Sequence, residues 1–307
     1  MYDMIAIGAG AAGLTAALYG VRAGMKVIVF EKMGVGGQII LTDVVENYPG
    51  FLSISGPELM EKFENHVKKF GVEIRYEEVM SVKKSKSGFE IRTDEETYET
   101  ISLVIATGSQ PRKLHVEGEQ EFIGKGVSFC AVCDGPFFKD KEVAVIGGGD
   151  AAIKESLYLT QIVKKVTVIH RRDELRAEQI FQDQAFANSK IDFIWSSVVD
   201  HIDGKEKFKG LTVREVDNPD RKKKLEVSGV FVYIGHIPNT KFLDIVKKKK
   251  EGFIITDDCL RTSEPGIFAA GDCRDTCLRQ IATCVGDGAI AAYHAGEWVE
   301  RVKSGHV

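Results

Sequence analysis

Met4-Ile5-Ala6-Ile7-Gly8-Ala9-Gly10-Ala11-Ala12-Gly13 decides the fold of this chain. A short apolar run enters a Gly-x-Gly-x-x-Gly turn, a helical stretch continues to about Ala23, and Val27-Ile28-Val29-Phe30 leads to an acid, Glu31. Residues 2–31 therefore read as one βαβ unit. A lone Gly-x-Gly-x-x-Gly is weak evidence. A strand before it, a helix after it and an acid at the tip of the second strand make it a dinucleotide fingerprint. Gly8, Gly10 and Gly13 permit the tight turn and let a pyrophosphate approach the helix N-terminus, where N–H groups and the dipole favour negative charge. Glu31 is then placed to accept a hydrogen bond from a ribose 2′-hydroxyl.

The second half of the chain repeats this unit. Val143 to Gly147 reads as a strand, Gly147-Gly148-Gly149-Asp150-Ala151-Ala152 as a Gly-x-Gly-x-x-Ala turn, Ala151 to about Ile162 as a helix, and Val166-Thr167-Val168-Ile169 as the closing strand. With Gly147 aligned on Gly8, the position of Glu31 is taken by His170, followed by Arg171 and Arg172. An acid suits a free 2′-hydroxyl. An arginine pair suits a 2′-phosphate, because a guanidinium grips phosphate through two parallel hydrogen bonds. The first site is expected to hold a cofactor such as FAD and the second NADPH. The bland reading of Arg171, Arg172 and Arg176 is that they solvate a helix start.

Between the two turns lies Cys130-Ala131-Val132-Cys133-Asp134. Two thiols separated by two residues can interconvert between dithiol and disulfide with little backbone movement. The competing reading, half of a zinc site, needs a second ligand pair. Cys259, Cys273, Cys277 and Cys284 form no further Cys-x-x-Cys, so a redox pair is the stronger reading.

A length of 307 residues predicts about two domains. The formal net charge of −4 leaves no electrostatic footprint for nucleic acid. The basic runs Arg221 to Lys224 and Lys247 to Lys250 read as solvated turns or helix ends. No apolar run reaches the ~20 residues of a membrane span. The N-terminus opens into Met4 to Ile7 without a leader pattern, so a cytoplasmic protein is expected, in a compartment where Cys-x-x-Cys is catalytic more often than structural.

Gly56 to Phe70 has an apolar stripe at Leu59, Phe63, Val67 and Phe70 and predicts a helix; His66 beside it reads as a surface residue. Gly34 to Gln38 and Val45 to Gly50 read as loops. Residues 72–101 change to short alternating strands. The connectors Ser109 to Lys113 and His236 to Thr240 bracket the second nucleotide unit. Residues 1–110 and 241–307 are thus expected to form one FAD-binding domain, with residues 111–240 inserted as an NADPH-binding domain carrying the Cys-x-x-Cys. The expected class is α/β, with two Rossmann-like, doubly wound domains. Asp272, ending the apolar strand Gly266-Ile267-Phe268-Ala269-Ala270-Gly271-Asp272, reads either as a loop cap or as a partner for a cofactor chain. Gln280 to Trp298 reads as a helix rich in small residues.

Taken together, Cys-Ala-Val-Cys-Asp-Gly at 130–135, His-Arg-Arg-Asp-Glu-Leu-Arg-Ala at 170–177, Gly-Ile-Phe-Ala-Ala-Gly-Asp at 266–272 and Arg279-Gln280 make the chain resemble the low-molecular-weight thioredoxin reductases over its whole length. That resemblance implies a homodimer that passes electrons from NADPH through FAD and the Cys130–Cys133 disulfide to thioredoxin or a thioredoxin-like small dithiol protein. It implies FAD contacts at Gly8, Gly10, Gly13, Glu31, Gly37, Gln38, Asn47, Thr107, Gly108, Asp272, Arg279 and Gln280. NADPH contacts are implied at Gly147, Gly149, Asp150, Ala152, His170, Arg171, Arg172, Arg176 and Gly235. Asp134 is similar to the family's acid/base residue. The connectors suit a hinge between two working arrangements.

Two features depart from the family pattern. Position 151 is Ala where Ser is usual, removing a hydroxyl near the pyrophosphate, and Cys273 and Cys277 follow the Gly-Asp motif. Packing is the expected role of these cysteines, since free Cys behaves as a small hydrophobe. Two other functions fit the same residues: a flavoprotein disulfide reductase with another partner or donor, and a flavin-binding redox sensor that docks a partner without turnover.

Overall fold

The glycine turn joins β1 (Tyr2–Ile7) to α1 (Ala11–Arg22), and β2 (Val27–Phe30) returns beside β1 in parallel, with Met4 opposite Val27 and Ile7 opposite Phe30. The structure is a computed structural model that describes residues 1–306. Where the sequence reads as open loop, a 3-10 turn spans Gly37–Leu41. Next comes α2 (Gly56–Lys69), capped by Ser55, whose hydroxyl accepts the Glu58 N–H at 3.2 Å. Leu59 and Val67 of its stripe are buried, while Phe70 lies past the helix end and is exposed. His66 is exposed, as its position beside the stripe predicts.

The strands β3 (Glu73–Arg75), β4 (Val79–Ser85), β5 (Gly88–Thr93) and β6 (Thr97–Ile105) complete the first half. β6 changes role along its length. Thr97 to Thr100 pair antiparallel with β5, and Thr100 to Ile105 pair parallel with β1. Burial alternates in the first part and is continuous from Thr100 onward. A strand covered on both faces needs apolar residues in succession, whereas a half-solvated one alternates.

The chain divides into two compact units: residues 1–110 with 237–307, and residues 111–236. The chain leaves the first unit within β7 (Ser109–Pro111) and runs through α3 (Glu119–Phe122), β8 (Val127–Ser128), α4 (Ala131–Asp134), β9 (Glu142–Ile146), α5 (Asp150–Leu159), β10 (Lys165–Ile169), α6 (Gln179–Ala187) and β11 (Ile191–Ile194). Then follow β12 (Ser197–Gly204), β13 (Phe208–Glu215), β14 (Lys222–Leu225) and β15 (Gly229–Val232), and the chain re-enters the first unit within β16 (His236–Pro238). Five of these strands form a parallel sheet in the order β11-β10-β9-β15-β8, and β12-β13-β14 form an antiparallel sheet. Back in the first unit, β17 (Ile267–Ala269) runs parallel to β6, and α7 (Ile281–Lys303) follows.

In each unit the two faces of the strand that enters the glycine turn, β1 and β9, belong to separate cores. In the first unit, Met4 and Ala6 pack with Leu14 and Ala17 of α1 and Ala291 and Ala295 of α7. Ile5 and Ile7 pack instead with Phe30, Phe89, Ile91 and Leu243. In the second unit, Val143 and Val145 meet Ile153, Leu159 and Phe231. Ala144 and Ile146 meet Val199, Ile202, Leu211 and Val213 of the antiparallel sheet. Helices thus cover one face and antiparallel strands the other. Burying each large aliphatic side chain stabilises its unit by roughly 1.5–3 kcal/mol.

Candidate functional site

In the first unit the glycine turn is shaped by its neighbours. Gly8 has φ +106°, and a Cβ there would run into the Ala106 carbonyl; a Cβ on Gly13 would overlap the Gly8 carbonyl. Gly10 faces open space and caps α1 without any side-chain hydrogen bond. The first-turn N–H groups of α1 are therefore left for a ligand, the arrangement that holds a phosphate. Glu31 closes the turn from the side: the Ala9 N–H donates to Oε2 at 2.9 Å and the Met33 N–H to Oε1 at 3.0 Å. A carboxylate has lone pairs left over for a ribose hydroxyl.

Other predicted contacts sit nearby in the chain's folding pattern. Thr107 and Gly108 follow β6, and Asn239 fastens them, its side chain donating to the Thr107 carbonyl at 2.9 Å and its N–H to that of Gly108 at 3.0 Å. The Thr107 hydroxyl is buried without a partner, as is Arg279 Nε. The Arg279 guanidinium lies over the Phe253 ring at 4.6 Å. Asn47 donates to the Gln280 side chain at 3.1 Å, joining two predicted residues that are 233 positions apart. Gly37 and Gln38 begin the 3-10 turn. An uncapped helix start, two glycines that exclude a Cβ and orphaned polar atoms fit an extended dinucleotide such as that of a flavin.

Asp272 belongs to a short 3-10 turn, Gly271–Cys273, and burial raises its carboxyl. The turn is held by residues the sequence does not single out. Asp287 of α7 accepts the Gly271 N–H at 2.9 Å and forms a two-pronged pair with Arg274, at 2.7 Å to Nε and 2.9 Å to Nη2. Cys273 is fully buried and burial pushes its thiol up to about 11, in keeping with a packing role. Cys277 is exposed and corrects that expectation: it follows the turn out into solvent. Neither forms a disulfide.

In the second unit the same turn is built with different neighbours. Gly147 has φ +145°, and a Cβ there would strike the Tyr233 carbonyl. A Cβ on Gly148 would enter the His170 ring, so this glycine, which the motif leaves free, is required by the close packing of an imidazole. Gly149 caps α5 without a side-chain bond and has open space beside it. Asp150 turns away to accept the Glu178 N–H at 2.8 Å, and Ala152 is buried. His170 is buried; burial foremost, then Arg176, Arg171 and Arg172, lowers its imidazole below the ordinary value. The three arginines are exposed. Gly235, with φ +109°, accepts the Arg112 N–H at 2.9 Å. An open helix start beside a guanidinium cluster fits a phosphorylated dinucleotide.

Cys130 and Cys133 are joined as a disulfide, with Cα atoms 5.3 Å apart, where Cys130 caps the single turn α4. Both are half-buried. The Cys133 N–H lies 3.1 Å from the Cys130 sulfur. Asp134 Oδ2 accepts the Ser128 hydroxyl at 2.6 Å; burial raises this carboxyl and the Ser128 bond partly offsets the rise. The Ser128 oxygen also accepts the Cys130 N–H at 3.0 Å. The Tyr233 hydroxyl, just past β15, accepts the Ala131 N–H at 2.6 Å. Glu155 on α5 is a further carboxyl raised by burial, with an Oε2 that lacks a partner. Ser128 and Tyr233 carry no motif signal: one is a lone serine, the other lies 102 residues from the amide it holds. Among the described residues no cluster of His, Cys, Asp and Glu could hold a metal, and no helix is long and apolar enough to cross a membrane.

A family model described as pyridine nucleotide-disulphide oxidoreductase matches residues 2–288. The chain is 48% identical over 306 residues to a thioredoxin reductase of Listeria monocytogenes, covering 99% of this chain and 95% of that one. It is 46% identical over 305 residues to the thioredoxin reductase of Bacillus subtilis, covering 99% and 96%. The crystal structure of thioredoxin reductase from Streptococcus pyogenes superposes with a TM-score of 0.92 at 47% identity, covering 98% of each chain.

Proposed function

The chain belongs to the pyridine nucleotide-disulphide oxidoreductases, among the low-molecular-weight thioredoxin reductases, and on that premise we propose that it carries electrons from NADPH, by way of FAD and the Cys130–Cys133 disulfide, to thioredoxin or a thioredoxin-like small dithiol protein. The observation that carries this reading is the Cys130–Cys133 disulfide beside the Asp134 carboxyl, in a unit whose own strand–turn–helix–strand motif ends on His170, Arg171 and Arg172.

When bound, the FAD supplies the two-electron link between nicotinamide and disulfide. In the first unit, Gly8, Gly10 and Gly13 clear room for its pyrophosphate, Glu31 takes the ribose, and Thr107, Asp272 and Arg279 offer polar atoms along its length. In the second unit, Gly147 and Gly149 open the helix start, and Arg171, Arg172 and Arg176 read a 2′-phosphate. A neutral His170 leaves the positive charge to those arginines.

Two electrons break the Cys130–Cys133 bond, leaving a thiolate and a thiol once one proton has been added; Asp134 gives or takes that proton. One thiolate then attacks the substrate disulfide to form a mixed disulfide. The companion sulfur displaces the substrate as a dithiol and restores the Cys130–Cys133 bond. The Cys133 N–H directed at the Cys130 sulfur stabilises negative charge there, which favours Cys130 as the attacking group. The proposal extends to a cytoplasmic homodimer, checked by sedimentation of the native protein.

Anaerobic titration of the yellow protein with NADPH, followed by addition of oxidised thioredoxin, tests the reading. Catalytic reduction of many thioredoxin molecules per flavin is expected. A single reduction per molecule marks a redox sensor, and turnover only with a different donor or partner marks another disulfide reductase.

A further inference from the structure

The redox turn and its neighbouring carboxyl are linked by one hydroxyl. Ser128 ends β8, two residues before Cys130, and is buried. Its oxygen accepts the Cys130 N–H at 3.0 Å, and its single proton has two acceptors in reach: Asp134 Oδ2 at 2.6 Å and the Cys130 carbonyl at 3.3 Å. The shorter contact has the length of a charge-assisted O–H···O⁻ bond. A chain of donation therefore runs from the Cys130 N–H to the Ser128 hydroxyl and on to the Asp134 carboxylate. A hydroxyl that accepts one hydrogen bond donates the next more strongly. The Asp134 N–H closes the ring by donating to the Cys130 carbonyl at 3.0 Å.

We propose that Ser128 is a positioning residue for the disulfide chemistry, tying the Cys130 backbone to the Asp134 carboxyl and setting the proton affinity with which Asp134 serves the departing thiolate. The proposal rests on the disulfide-reductase reading above. Two effects oppose each other at Asp134: burial favours the protonated acid, and the Ser128 bond favours the carboxylate. Without Ser128 the buried acid would hold its proton more tightly and return it less readily after the thiolate has gone. The other polar groups of this corner are the Tyr233 hydroxyl, close enough to feel both Asp134 and Glu155, and Glu155 itself on α5. Neither donates to Asp134, so the Ser128 hydroxyl is its one side-chain donor among the described residues. The atoms balance: Asp134 loses a proton as a thiolate becomes a thiol, and regains it when that thiol is deprotonated for attack.

The test follows the Asp134 carboxyl directly, by ¹³C resonance of aspartate-labelled oxidised protein, assigned through Asp134→Asn. Ser128→Ala and Ser128→Val should raise the titration midpoint, to about tenfold tighter proton binding. Ser128→Thr, which keeps the hydroxyl at the volume of Val, should restore it. The pH profile of thioredoxin reduction should move in the same direction. In the unsubstituted protein, the Cys130 amide proton shift should titrate with the Asp134 midpoint, a readout that survives if Ala or Val at position 128 does not fold. An unmoved midpoint in both Ala and Val variants, an equal shift in Thr, or a Cys130 amide that ignores Asp134 overturns the proposal. The carboxyl titration needs no turnover, so a protein inactive toward thioredoxin would refute the functional reading, whereas an unmoved midpoint in an active enzyme would refute the role of Ser128 alone.

Discussion

The two glycine turns share a backbone plan and differ in what closes them. At Gly8–Gly13 the acid Glu31 accepts two backbone N–H groups and braces the loop it also serves. At Gly147–Ala152 the corresponding residue is a buried imidazole packed on Gly148, with exposed guanidinium groups on the sequence that follows. The helices also sit differently. Gly13 admits no Cβ because the Gly8 carbonyl is there, yet the matching Ala152 keeps its methyl in the second unit. The strand–turn–helix frame is thus common to both units, and on the proposed reading it would hold a phosphate in each while the tip of the second strand selects the nucleotide.

The sharpest way to break this division of labour is Cys133→Ser, which should reduce thioredoxin turnover to background. FAD should stay bound and NADPH should still bleach it, because the glycine turn at Gly8 is untouched; stopped-flow absorbance reads both. Loss of flavin reduction in this variant would mean that the units do not divide the work as described.

Replacing Arg171 and Arg172 together with Ala should raise KM for NADPH far more than for NADH. Charge-assisted hydrogen bonds contribute roughly 1.5–3 kcal/mol each, so discrimination should fall on the order of a hundredfold or more. An equal loss with both nucleotides would show that the arginines do not read the phosphate.

The Gly13/Ala152 contrast is tested by exchange. Gly13→Ala places a methyl against a backbone carbonyl and should destabilise the chain by about 1–3 kcal/mol, with weaker flavin retention. Ala152→Gly should cost no more than about 1 kcal/mol. Thermal unfolding with flavin release distinguishes the two, and equal losses would remove the difference in helix approach.

The smallest expected effect concerns His170. Its folded-state affinity for protons is depressed, chiefly by burial and then by Arg176, Arg171 and Arg172. Below the ordinary value of 6.5 the unfolded chain binds the proton and the folded chain does not. The stability this group contributes is therefore present above pH 6.5 and is lost as the pH falls toward its folded value. His170→Asn should lose less stability than the native chain over that acid range, as read by calorimetry. Parallel pH curves would show that the imidazole is not buried in its neutral form.

Much of this architecture was legible in the residues themselves. The apolar run Met4 to Ile7, the two glycine turns and the tips Glu31 and His170 sit at fixed short spacings, and strand, turn and helix each impose a local periodicity that a sequence carries openly. The Cys130–Cys133 pair is equally local, since three residues bring two sulfurs within bonding reach. The 3-10 turn at Gly37 was less visible, because so short an element has no period to display. What only the tertiary structure decided were partners far apart in the chain or without a motif: Tyr233 on the Ala131 amide, Asp287 on Gly271 and Arg274, Asn47 on Gln280, and Ser128 between Cys130 and Asp134. A hydrogen bond depends on where two groups end up in space, and that is set by packing of whole sheets and helices. A single serine or tyrosine in the sequence bears no mark of the bond it will make.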